Sequence, residues 1–90
     1  MAFLIGVFEG DFDAFKKQFD SDPLGRRKVA KGHTMLRGVA NPSEIFLRVE
    51  VDSAPEAKKF QEQVRGSGVL RNVTVKIPPT VAEMVDQATY

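Results

Sequence analysis

His33 is the only histidine in a chain of 90 residues, and no cysteine accompanies it. An imidazole of ordinary pKa serves as acid or base near neutrality. His33 is therefore the one candidate catalytic residue of the acid–base kind. A plain surface histidine at the start of a strand is the other reading, and both stand. One histidine without thiolates leaves a metal only scattered carboxylates, so no metal site is expected. No cofactor is expected either.

Four charged residues form a second constellation. Arg37, Arg48, Lys76 and Glu50 fall on strand-like stretches that neighbour one another in the expected sheet. Three cations around a cavity would hold an anionic or enolisable substrate and stabilise negative charge developing on oxygen. The alternative is cross-strand ion pairing, with Glu50 as the counter-charge. Phe8, Met35 and Phe46 supply apolar partners and Asn72 a polar one, which completes the candidate substrate-binding set.

The elements that must position these residues follow from periodicity. Phe3–Phe8 is a short apolar run with strand formers, and Gly6 within it marks a bulge or a close backbone approach. Asp11 caps a helix whose Phe12, Phe15 and Phe19 recur at helical spacing. Pro23 suits the first turn of a second helical piece reaching about Lys31, where Gly32 stops it. On that piece Arg26, Arg27, Lys28 and Lys31 read as a solvated face.

His33–Val51 reads as a hairpin: two strands around Asn41-Pro42-Ser43-Glu44. Ser53 and Glu56 make a capping box for a helix that buries Ala57, Phe60 and Val64. Gly66-Ser67-Gly68 follows that helix, so it is a C-cap rather than a phosphate-binding loop. Leu70–Ile77 alternates as a half-buried strand. Pro78-Pro79 ends it, and Thr80 with Glu83 opens a short C-terminal helix.

The order is βαββαβ plus a tail helix. The fold class is α+β: a ferredoxin-like antiparallel sheet with both long helices on one face, in a single domain spanning residues 1–90. Alternation places Ile45, Leu47, Val49 and Val51 under the helices, with Val73, Val75 and Ile77, and with Phe3, Ile5 and Val7. The free face then holds Leu4, Gly6, Phe8, Phe46, Arg48, Glu50, Asn72, Thr74 and Lys76. His33, Met35 and Arg37 join it, because Arg37 fits poorly under a helix. An apolar patch flanked by charges marks an interaction surface. A second copy related by a two-fold axis would cover it.

Composition narrows the function classes. Net charge is +1, the chain has seven Phe, one Tyr and no Trp, and 42% of residues are hydrophobic. No electrostatic footprint points to nucleic acid, and although Phe8 and Phe46 are strand aromatics, the Gly- and aromatic-rich signature of RNA-binding sheets is absent. The opening MAFLIGVFEGDF has no basic leader region, and no stretch has the apolar length of a membrane span, so a cytoplasmic location is expected and no membrane partner.

The stretches DFDAFKKQFDSDP, GHTMLRGVANPSEIFLRVEVDSAPEAKKFQ and GSGVLRNVTVKIPP resemble the dimeric α/β-barrel superfamily. That group includes antibiotic-biosynthesis-monooxygenase-like proteins and small polyketide cyclases. The resemblance covers nearly the whole chain. It implies a homodimer through the sheet face, forming an α/β barrel. It further implies a cyclase or cofactor-independent monooxygenase acting on a polyketide-like or aromatic substrate, or else a non-catalytic dimer that binds a small hydrophobic or anionic ligand. The chain departs from the family pattern in lacking the pocket Trp of the oxygenases. It also carries Ser53-Ala54-Pro55-Glu56 where the cyclases have His-Pro-Ala-His. No catalytic residue transfers from the family.

Overall fold

Ala2–Glu9 forms β1, an interior strand of a four-stranded antiparallel sheet ordered β2-β3-β1-β4. The computed structural model describes all residues, Met1–Tyr90. Helix α1 is Phe12–Asp20, β2 is Ala30–Arg37 and β3 is Glu44–Val51. Helix α2 is Ala54–Ser67 and β4 is Thr74–Glu83. This is the ferredoxin-like α+β arrangement expected from the sequence.

The local signals largely act as read. The Asp11 carboxylate accepts the Ala14 N–H at 3.0 Å and starts α1. The Ser53 hydroxyl accepts from the Glu56 N–H at 3.5 Å and starts α2. Gly68, with φ of 73°, stops it in the left-handed region. In the hairpin turn the Asn41 side chain accepts from the Ser43 N–H, and the Asn41 carbonyl from the Glu44 N–H.

Three clusters run along the sheet under the helices. They are Ala2, Val51 and Ala57; Leu4, Val49 and Phe60; and Phe8, Phe15 and Ile45. Phe8, Ile45, Val49 and Val51 are sealed from solvent, each contributing about 1.5–3 kcal/mol of burial. Gln61 ties α2 to β4 by donating to the Pro79 carbonyl at 2.7 Å.

The face assignment of β1 is the reverse of that expected. Antiparallel partners project to the same side. The register pairs Leu4 with Val49 and Phe8 with Ile45, so Leu4 and Phe8 lie under the helices and Phe3, Ile5 and Val7 on the free face. A strand apolar on both sides carries no alternation that could decide this.

The hairpin's first strand also differs. It begins at Ala30, and its register pairs His33 with Val49, Met35 with Leu47 and Arg37 with Ile45. His33, Met35 and Arg37 thus project to the helix side, not the free face. Arg37 is tolerated there because β2 is an edge strand: its guanidinium lies 5.3 Å from the Phe12 ring centroid and stays exposed. The expected helix from Pro23 is only a 3-10 turn, Arg26–Lys28, because Gly25 takes a φ of 66°.

The last strand runs through its prolines, and no tail helix forms. Residues 84–90 have no regular structure. Proline is compatible with an edge strand at a bulge, and β4 shifts register where it passes Gly6. The shift sets Val75 opposite Phe8 and Ile77 opposite Val7, so these two residues do not share a face as expected. Asn72 lies in the loop before β4, exposed.

Candidate functional site

The space between sheet and helices is not filled. A cavity of about 80 Å³ lies there, walled by Leu4, Phe8, Phe15, Phe19 and Phe60, among others, and by two charged residues, Asp22 and Arg26. Gly6 also lines it. A Cβ at that position would stand 2.6 Å from the Phe8 ring, so glycine is what lets Phe8 lie across the cavity wall. Val69 and Leu70 close one side, and Gln18 fixes that loop to α1 by donating to the Val69 carbonyl at 3.1 Å.

The polar pole of the cavity is built by the turn after α1. Asp22 has a φ of 56°, the only non-glycine residue with a positive value. Such a conformation costs about 1–3 kcal/mol and needs local compensation. The compensation is its carboxylate, which accepts the Arg26 N–H at 2.7 Å and the Arg26 Nη1 at 3.0 Å. Arg26 is 5% exposed. Its guanidinium also donates to the Phe19 carbonyl at 3.1 Å and stacks over the Phe19 ring, 3.7 Å from the centroid. Burial pushes the Asp22 carboxyl up, but hydrogen bonds from Arg26 outweigh it and hold the pKa below the usual carboxylate value.

Nη1 is thus committed, whereas Nε and Nη2 of Arg26 make no hydrogen bond within the chain. No buried donor is left unsatisfied, so those two nitrogens keep some accessible surface. They are the free donors of the site.

The candidates named from the sequence are divided between two places. Phe8 lines the cavity, and Met35 packs beside it against the cluster of Phe8, Phe15 and Ile45. His33 stands outside: its ring meets Phe19 edge-on at 4.8 Å, and it does not line the cavity. Burial, then the nearby Arg26, lowers its pKa from the ordinary imidazole value. Arg37 sits over Phe12 at the same edge.

Phe46, Arg48, Glu50 and Lys76 lie on the free face, as expected. There one cross-sheet row reads Leu36, Phe46, Val7, Ile77, one apolar residue from each strand. Leu36 is 58% exposed and Ile77 51%. Beside it a trough of about 240 Å³ is lined by Ile5, Val7, Thr34, Leu36, Phe46 and Arg48, among others. Arg48 donates to the Thr34 hydroxyl at 3.4 Å and covers the Phe3 ring at 5.1 Å.

Glu50 is not the counter-charge of Lys76. The Lys76 ammonium lies 3.1 Å from both Glu9 and Glu44, which face each other across β1 and β3. Hydrogen bonds to Glu44 and Glu9 raise the Lys76 pKa, and the bond from Lys76 lowers that of Glu9.

Arg26 and Asp22 were missed in the sequence because the basic run was assigned to a solvated helix face. The available signal was an acid four residues before an arginine, at the end of a Phe stripe. No three potential ligands cluster to suit a metal, and no helix is long and apolar enough to cross a membrane.

Comparison with known proteins adds the fold alone. No family model matches the chain, and no curated protein matches it. Among solved structures, a "putative antibiotic biosynthesis monooxygenase" from Deinococcus radiodurans superposes with a TM-score of 0.68 over 100% of this chain and 98% of that one, at 13% sequence identity. The chain shares with that protein the ferredoxin-like βαββαβ fold, as the resemblance in sequence implied.

Proposed function

We propose that the protein is a dimeric α/β-barrel enzyme that takes a small aromatic or polyketide-derived ring into the cavity beneath its helices. The observation that carries this reading is a Phe-lined cavity with one buried cation holding free donors at its wall. Phenylalanine walls suit a flat ring. The Arg26 guanidinium suits an oxygen that carries charge as an enolate or phenolate. Such an anion reacts with dioxygen without a separate reductant: a ring CH2 and O2 become C=O and H2O, both electron pairs coming from the substrate. Cyclisation through the same enolate is the sister reaction. The sheet face supports the dimer: its apolar row is flanked by polar and charged residues.

A second reading is binding without turnover. Two observations favour it: Asp22 is committed to Arg26 and His33 lies behind Phe19, so the cavity has no free base. The volume is also below the roughly 150 Å³ of an apolar cavity known to hold benzene, so a ring enters only as Phe side chains move.

Oxygen uptake with small hydroxylated aromatic substrates separates the readings. Uptake matched by quinone formation, lost in Arg26→Gln, supports the enzyme. Saturable binding of the same compounds without uptake supports the binding protein. Neither uptake nor binding overturns both.

A further inference from the structure

Charge is unevenly placed along this chain. The segment from Pro23 to Ser43 carries Arg26, Arg27, Lys28, Lys31, Arg37 and His33, and not one acid. Folding gathers four of these on one surface. Arg26, Arg27, Ala30, Lys31, Gly32 and His33 line a depression of about 260 Å³ beside the exposed edge of β2. No acidic residue lines it.

Two of its cations have partners. Lys31 pairs with Asp52 at 2.8 Å, and Arg26 with Asp22. Arg27 has none. Arg26 is the one residue shared between this depression and the inner cavity. It is a nine-tenths-buried guanidinium with two uncommitted nitrogens, held rigid by Asp22, the Phe19 carbonyl and the Phe19 ring. A preorganised guanidinium beside a second, flexible one matches the way tetrahedral oxyanions are held, by several charge-assisted hydrogen bonds at once.

We propose that the depression formed by Arg26, Arg27, Lys31 and His33 binds a tetrahedral oxyanion of the phosphate class. The site shares Arg26 with the ring-binding cavity but needs no turnover. The groups facing His33 are Asp20 and Lys16 from α1 and Arg26 and Arg27 from the turn, with the Phe19 ring against its edge, while Arg48 and Glu50 of β3 and Asp86 of the C-terminal segment line a second depression with it. Burial first, and then the Arg26 charge, disfavours the imidazolium. A bound dianion reverses the balance, so the His33 pKa rises on binding and affinity increases as pH falls through that value.

The single histidine reports this directly. The ring C–H resonances of His33 are followed by NMR during titration with inorganic phosphate, at constant ionic strength made up with chloride. The expected result is a saturable shift with a higher apparent His33 pKa in phosphate than in chloride. Arg27→Gln removes the effect, and Lys28→Gln, outside the depression, keeps it. Far-UV circular dichroism of both variants checks that each is folded. Phenyl phosphate in a parallel titration distinguishes the source: tighter binding assigns the oxyanion to a larger ester, and equal binding assigns it to the free ion. A shift that is linear, or the same in chloride, overturns the proposal. So does a shift that survives in folded Arg27→Gln.

Discussion

The two faces of the sheet are made of similar residues put to different ends. The helix side holds Leu4, Phe8, Ile45, Val49 and Val51, all buried. The free side holds Ile5, Val7, Leu36, Phe46 and Ile77, and three of these remain exposed. Hydrophobicity therefore does not separate core from surface in this protein. What separates them is where charge stands: on the helix side only at the edge, where Arg37 of β2 ends the row of Ile45 and Phe8, and on the free side within the interior strands. On the helix side the one buried cation is locked by Asp22. On the free side Arg48, Glu50 and the Lys76 clamp interrupt each row but one. A face built this way is held for a partner rather than closed within the chain.

The largest test of that contrast is Phe8→Ala against Phe46→Ala. Phe8→Ala is expected to cost about 3–5 kcal/mol in urea unfolding, since it empties a sealed site. Phe46→Ala should cost the isolated subunit under about 1 kcal/mol. Equal losses would erase the distinction between the faces. Next comes association. Phe46→Glu places a charge within the apolar row, and should weaken the proposed dimer by about 2 kcal/mol or more, roughly thirtyfold in Kd by sedimentation equilibrium. An unchanged Kd removes the free face as the interface.

Smaller still is the effect at the cavity pole. Arg26→Gln should weaken binding of an ionised ring by about 10–100-fold and that of its neutral analogue much less, measured by calorimetry. Equal losses for both ligands would reduce Arg26 to a structural role. The mildest test is Lys76→Met. It leaves Glu9 and Glu44 facing each other with no cation between them, which lowers the melting temperature at neutral pH. Acid should restore part of the loss, because protonated glutamates do not repel. In the wild type the dependence runs the other way. The lowered pKa of Glu9 contributes stability above its unfolded value, and that is lost as pH falls through the folded one.

Element order was readable because each boundary carries its own chemistry: Asp11, Ser53, Gly68 and the Asn41 turn all act locally. Faces were less readable, and for a definite reason. In β3 the alternation of Ile45, Leu47, Val49 and Val51 with Phe46, Arg48 and Glu50 is unambiguous, and those assignments hold. In β1 both sides are apolar, and in β2 the start lies at Ala30 rather than His33. Only pairing with β3 decides them. One face choice, made because Arg37 fits poorly under a helix, moved His33, Met35 and Arg37 together, and the register with β3 dissolves the expected cluster with Arg48 and Lys76. The Arg26 site was hidden differently. Its burial depends on a positive φ at Asp22, which no periodicity announces.

The run of β4 through Pro78 and Pro79 also decides how many copies can join. Of two adjacent strand residues, one turns its N–H away from the sheet, and here neither residue has one. An incoming strand would meet missing donors and a bulge on that side, while the opposite edge, β2, has no proline and is irregular only at Ala30–Gly32. A particle with one receptive edge can pair with a single neighbour but cannot propagate into a ribbon. The two prolines thereby disfavour edge-to-edge growth through β4.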